Sequence, residues 1–183
     1  MALPSTNPFS AYTRTAIALH WLLALMIVGS LSVGVYMADL PLSPFKLKLY
    51  NWHKWAGVMI LTLSAARLLW RLTHPPPADP PMPRWQRRAA QVAHGALYAL
   101  FFAVPLAGWA YSSAAGFPIV LFGVLPLPDW VPVDRALSEV IKPLHQWLAY
   151  TLAALVLVHV AAALKHHFFD RDGLLLRMLP GRG

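Results

Sequence analysis

At 183 residues the chain has the length of about one domain. Hydrophobic residues make up 58% of it and charged residues 12%, against roughly 25% charged in an average soluble domain, which excludes an ordinary soluble globule and points to a membrane. There is no cysteine, so disulfides, Cys-bound zinc, iron–sulfur clusters and thioether-linked haem are excluded; the formal charge of +8 sits on residues that flank apolar segments, as in membrane proteins, and does not indicate nucleic acid.

Four apolar segments follow one another. The first covers Arg14 to Ala38, the second Tyr50 to Leu72, the third Arg87 to Ser112 and the fourth Pro143 to Phe168. Each is long enough to span, since a transmembrane helix needs about 20 residues. The first is too long for a signal-peptide core and has only Arg14 before it, so it reads as a retained helix. Pro105 falls inside the third and predicts a kink there. His74 to Pro83, HPPPADPPMP, predicts a stiff extended spacer. Ala114 to Lys142 is too broken by Pro and Gly to span, yet apolar enough to lie on the outer surface or cap a bundle. The fold class expected is an all-α membrane protein, a four-transmembrane-helix bundle forming one domain over residues 1–183.

Lys and Arg set the orientation. Arg14, Arg67, Arg71, Arg84, Arg87, Arg88, Lys165, Arg171, Arg177 and Arg182 collect on one side; Lys46, Lys48, Lys54, Arg135 and Lys142 lie on the other. The richer side is predicted to be cytoplasmic, which puts both termini inside.

The histidines carry the chemistry. A helix turns about 100° and rises about 1.5 Å per residue, so His145 and His159 share nearly one face about 21 Å apart, and His166 continues the stripe. His53, near the start of the second span, matches the outer depth of His145. His20, His94 and His159 share the inner depth. A lone intramembrane histidine can be a hydrogen-bonding tie between helices. Five at two depths point to function. Two imidazoles on facing helices can hold one iron, and haem b fits best because it needs no covalent link; zinc wants three or four ligands at one level. The residue four positions on lies on the same face. It is small after His20, His53, His145 and His159 (Ala24, Gly57, Ala149 and Ala163) but is Tyr98 after His94. That favours His20 with His159 and leaves His94 beside them, to contact a propionate or a quinone.

The segments ALHW (18–21), WHKWAG (52–57), RLLWR (67–71), AHGALY (93–98), LHQWLA (144–149) and HVAAALKHHFFDRDGLLLRMLP (159–180) resemble the prokaryotic cytochrome b561 family, over nearly the whole chain. The resemblance implies a four-helix dihaem cytochrome of the bacterial inner membrane. It implies two b haems, one between His20 and His159 and one between His53 and His145, and electron exchange with ubiquinone. Some members are superoxide oxidases, which pass electrons from superoxide to ubiquinone.

On that reading Lys46, Lys48 and Lys54 steer superoxide to the outer haem; the bland alternative is that they cap helix ends or meet lipid phosphates. His166 supplies a proton to a quinone at the inner haem, with Arg71 and His94 as neighbours. Three other readings stay open: a quinol-oxidising cytochrome that passes electrons to a periplasmic or bound partner, a proton-coupled transporter with a histidine relay, and a helical scaffold.

Overall fold

The structure, a computed structural model, describes residues 11–78 and 80–179. Arg182, counted above among the cytoplasmic charges, and Pro180, the last residue of the family-like motif, lie outside the described residues, as does Asp79 of the spacer.

Four helices form the bundle: α1 (Arg14–Ala38), α2 (Pro44–Thr73), α3 (Arg84–Ala114) and α4 (Arg135–Lys165). All four are long and apolar enough to cross a membrane. Direct packing runs α1 on α2, α2 on α3 and α3 on α4. One end carries the Pro-rich segment and residues 11–13 and 166–179; the other carries the α1–α2 turn and a small β-hairpin between α3 and α4. These are called the Pro-rich end and the hairpin end.

Side-chain caps explain where the helices start. Thr13 Oγ1 accepts from Ala16 N at 3.3 Å, Ser43 Oγ from Lys46 N at 3.2 Å, and Asp134 Oδ1 from Leu137 N at 3.1 Å. Each satisfies an N–H that the first helical turn leaves over. Two helices therefore begin earlier than their apolar runs. α2 starts at Pro44 rather than Tyr50, and α4 at Arg135 rather than Pro143, so Pro143 lies inside the helix. Hydropathy marks the part of a helix that sits in hydrocarbon; capping marks the helix itself. α3 continues through Pro105.

The hydrophobic centre is one layer. Leu23 and Ile27 of α1, Ile60 of α2, Leu97 of α3 and Leu152 of α4 are buried against one another. They belong to stripes with alternating three- and four-residue steps, the spacing that keeps one helix face inward. On α2 the stripe is His53, Gly57, Ile60, Ser64, Arg67 and Arg71; on α4 it is His145, Ala149, Leu152, Val156, His159 and Ala163. The aliphatic layer thus lies midway between two levels of histidine.

At the Pro-rich end α4 passes into a π-turn, His166–Asp170, and the chain folds back through a 3-10 turn, Leu175–Met178. This returning strand of chain ties three segments. Trp21 Nε1 donates to Met178 O at 2.7 Å, Tyr12 N to Arg177 O at 3.4 Å, and Arg177 Nη1 to Ala78 O at 2.8 Å. Trp70 stacks on His74, centroids 3.9 Å apart, and donates from Nε1 to Thr13 Oγ1 at 2.9 Å.

Asp134→Ala removes the cap of α4 and is expected to cost about 1 kcal/mol. Thermal unfolding in detergent should show a lowered midpoint, with Asp134→Asn close to the parent; an unchanged midpoint for Asp134→Ala counts against the cap.

Candidate haem sites

Two histidine couples face one another, one at each level. The His53 and His145 rings, from α2 and α4, have centroids 6.1 Å apart at 81°. The His20 and His159 rings, from α1 and α4, are 6.4 Å apart at 64°. Neither α1 with α4 nor α2 with α4 is among the extensively packed pairs. The couples therefore reach across space that helix contact does not fill.

The hairpin-end couple is held by main-chain carbonyls. His53 Nδ1 lies 3.1 Å from Ser30 O on α1, and His145 Nδ1 lies 3.0 Å from Val104 O on α3. A carbonyl only accepts, so in both rings Nδ1 carries the hydrogen and Nε2 is left with its lone pair. That is the tautomer a metal ligand needs, with its other nitrogen fixed by a hydrogen bond. Ser30 Oγ stands 3.2 Å from the same His53 nitrogen.

A glycine makes room for each of these bonds. Gly34 is one turn after Ser30, and a Cβ there would lie 3.1 Å from His53 Cε1. Gly108 is one turn after Val104, and a Cβ there would lie 2.9 Å from His145 Cε1. A Cβ at Gly108 would force the His145 ring to shift, and one at Gly34 would crowd the His53 ring by a few tenths of an ångström. The same device serves α1–α2 and α3–α4. Neither Gly34 nor Gly108 stands out in the sequence, because neither sits near its histidine in the chain.

At the Pro-rich level a third ring joins. His94 lies 5.4 Å from His159 at 67°. An imidazole nitrogen binds a metal at about 2 Å, so two imidazoles on opposite sides of one iron have centroids roughly 6.3 Å apart. The couples at 6.1 and 6.4 Å match that span. His94 and His159 stand too close for an iron and two bonds between them. Tyr98, one turn beyond His94, fills the space beside it and accepts from Arg67 Nε at 3.2 Å.

Arg67 is the residue that sequence reasoning used only as a topological charge. Its Nη1 is buried with no hydrogen-bond partner among the described residues. A guanidinium with one buried nitrogen left unsatisfied suits an anion. Beside the other couple, Gly57 borders open space, since a Cβ there would meet no atom within 4 Å. Arg71 lies over the Tyr98 ring at 5.8 Å. Arg67, Arg71 and Tyr98 line a small cleft of about 30 Å³ with Tyr12, Ala16 and His74, and a cleft of about 190 Å³ lined by Tyr12, Thr13, Ala16 and His74 lies beside it. Neither His94 nor His166 lines either cleft.

His166 is engaged elsewhere. Its Nδ1 donates to Asp172 Oδ2 at 2.6 Å and lies 3.2 Å from Asp170 Oδ2, while Lys165 pairs with Asp170 at 2.6 Å. The three lysines of the other end are also anchored. Lys46 donates to Leu40 O and Ala38 O, Lys48 lies 5.0 Å from the centre of the Trp52 ring, and Lys54 donates to Phe117 O at 3.1 Å and Pro118 O at 3.3 Å. Among the described residues none of the three forms an ion pair with a carboxylate.

The family described as prokaryotic cytochrome b561 matches residues 11–181. The chain belongs to the prokaryotic cytochrome b561 family. It is 36% identical to cytochrome b561 homolog 2 of Escherichia coli (strain K12) over 178 residues, which are 95% of this chain and 94% of the relative. It is 31% identical to cytochrome b561 homolog 1 of the same organism, over 93% of this chain and 98% of the relative. It is 30% identical to the probable superoxide oxidase CybB of Yersinia pestis, over 92% and 96%. Membership makes the chain a multi-pass bacterial membrane protein of electron transfer that binds b-type haem. The transporter and scaffold readings fall away.

The residues present fit that group. Haem b needs two neutral imidazole nitrogens facing across its iron, small residues beside them and cations for its propionates. The couples, Gly57 and the unsatisfied Nη1 of Arg67 answer those needs.

Gly108→Ala is expected to displace His145 from Val104 O and weaken haem retention at that couple by about tenfold, the scale for losing an outer-shell partner. Gly29→Ala, where an added Cβ meets nothing within 4 Å, should behave like the parent. Haem loss to an apoprotein acceptor and the midpoint potentials report both; identical behaviour of the two variants removes the role given to Gly108.

Proposed function

We propose that the chain is one membrane-embedded dihaem unit spanning residues 1–183. In this reading His20 and His159 hold one b haem, and His53 and His145 hold the other. It oxidises superoxide at the periplasmic face and reduces ubiquinone. The observation that carries the reading is the presence of two facing couples, at iron-spanning separation, joined by a helix that sets them about 21 Å apart. The name of the Yersinia relative supports the substrate. The lysine and arginine bias supports an inner-membrane orientation with the Pro-rich end and both termini in the cytoplasm.

The stoichiometry suits two carriers. Each of two superoxide anions gives up one electron and leaves as dioxygen. One quinone takes those two electrons and two protons to become quinol. Bound b haem supplies the one-electron carriers.

The chain's own residues do the rest. Lys46, Lys48 and Lys54 crowd the hairpin end with positive charge, and among the described residues none of them is in an ion pair with a carboxylate, which draws in a small anion. Asp129 opposes this at Lys54. At the Pro-rich end the quinone ring is held in the larger cleft beside Tyr12, Thr13 and His74, and Arg71 and Tyr98 line the small cleft that adjoins it. His94 stays beside the couple as a polar neighbour of quinone or propionate. His166, its Nδ1–H held by Asp172, takes protons from the aqueous side and passes them towards that region.

His145→Ala should lower the haem content from two per chain to one and leave the spectrum of the Pro-rich-end haem in place. A pyridine haemochrome ratio that stays at two refutes the pairing. Lys48→Glu, alone and with Lys46→Glu, should slow superoxide oxidation about tenfold or more at low salt and flatten its salt dependence. The single variant keeps the Lys46 bonds that close the α1–α2 turn. Stopped-flow mixing with superoxide and with quinol separates this direction from the reverse one, in which quinol electrons leave to a periplasmic or bound partner.

A further inference from the structure

Residues 117–133, between α3 and α4, carry one charge, Asp129. Their middle is a hairpin: β1 (Val120–Leu121) pairs antiparallel with β2 (Leu125–Pro126), with residues 122–124 at the tip. The tip is apolar and open. Val124 is 84% exposed and Phe122 61%, and Leu125, Trp130 and Val133 are exposed as well.

The hairpin is nonetheless an ordered element. Trp55 Nε1 donates to Val120 O at 2.7 Å, Lys54 donates to Phe117 O at 3.1 Å, and Leu127 N donates to Ile119 O at 2.8 Å, with Ile119 buried. Phe122 holds a left-handed backbone, φ 53, with its ring 5.4 Å from that of Trp55. That backbone is unfavourable for a bulky residue. Local geometry alone would have favoured glycine there, and the position carries a large aromatic facing outwards.

Its depth can be read from two helices independently. The hydrocarbon core is about 30 Å thick, or about 20 helical residues. On α4 the uncharged run starts after Lys142 and ends before Lys165; on α2 it starts after Lys54. The edge of the apolar slab therefore passes near Leu144 and Trp55. These neighbour His145 and His53, whose rings face one another, so the two readings agree on one level. Trp55 is also the residue that holds the hairpin. The exposed Trp52 and Trp147 lie at the same level, as do the aromatic belts of membrane proteins. The open apolar surface of the hairpin is thus continuous with the lipid-facing surface of the bundle.

We propose that residues 117–133 form an interfacial anchor: the hairpin lies in the acyl–headgroup boundary of the leaflet at its end, with Phe122, Val124 and Leu125 among the lipid chains. A soluble redox partner recognised by charge would find only Asp129 on this surface. Apolar burial drives the insertion, so it does not depend on anionic lipid. The inference is independent of the number of haems and of the direction of electron flow.

The absence of cysteine allows a direct test. Val124→Cys and, as a reference, Leu42→Cys in the α1–α2 turn are labelled with a nitroxide in the full-length haem-loaded protein. Both are placed in phosphatidylcholine nanodiscs, whose two faces are open to solvent. Power-saturation measurements then compare relaxation by dioxygen, which concentrates in lipid, with relaxation by a water-soluble nickel chelate. The label at 124 should show an oxygen-to-nickel ratio several-fold above that of the label at 42. Equal ratios at the two sites would place the hairpin in water and overturn the proposal. Protection of the label at 124 from both reagents would mean that protein covers it, in a second copy or a partner, and would overturn it too. Because Val124 is exposed at a tip, haem content and helicity equal to the parent verify that the labelled chain is folded.

Discussion

The arrangement depends on one kind of contact: an imidazole N–H given to a main-chain carbonyl of a neighbouring helix. A helical carbonyl already accepts one bond from its own helix but has a second lone pair. Reaching it requires a ring to press against the helix surface. That is possible where the residue one turn on has no side chain, and here it is glycine twice, Gly34 after Ser30 and Gly108 after Val104. The contact fixes the ring plane, the tautomer and the helix separation together. It also satisfies a part-buried polar group. The rest of the hairpin-end geometry follows from those two bonds.

The Pro-rich level is built on a different balance. Three imidazoles meet there, and ring separation distinguishes them: the pair 6.4 Å apart leaves space for a metal atom and the pair 5.4 Å apart does not. Arg67 lies on the inward stripe of α2 near this level, with one buried nitrogen unsatisfied among the described residues. A buried cation without an anion is expensive in an apolar slab, so its presence argues for a negatively charged group at this level. Haem propionate has the required charge and reach.

Much of this was legible in the sequence, and the reasons are physical. Helical periodicity fixes which residues share a face, and distance from the ends of an apolar run fixes depth; together they sort His20, His53, His145 and His159 into the two levels at which their rings meet. The helix ends were less legible, because apolar runs report the solvent and not the hydrogen bonds. Ser43 with Pro44 and Asp134 carried the missing signal as caps. The carbonyls of Ser30 and Val104 could not be read at all, since every residue has a carbonyl and its use depends on which helix lies alongside. Gly34 and Gly108 become meaningful only after that neighbour is known. The hairpin too was seen only as a broken apolar stretch, because its register rests on Trp55 and Lys54, far away in the chain.

The layer formed by Leu23, Ile27, Ile60, Leu97 and Leu152 has no donor or acceptor side chain. These five side chains themselves offer a proton no relay. Under the proposed dihaem arrangement, an electron passing from one histidine level to the other would cross this layer without a proton beside it, and each turnover would charge the bilayer like a capacitor. Moving one elementary charge through 100 mV is worth about 2.3 kcal/mol. The electrical state of the cell envelope therefore weighs on the direction and speed of the protein's redox traffic.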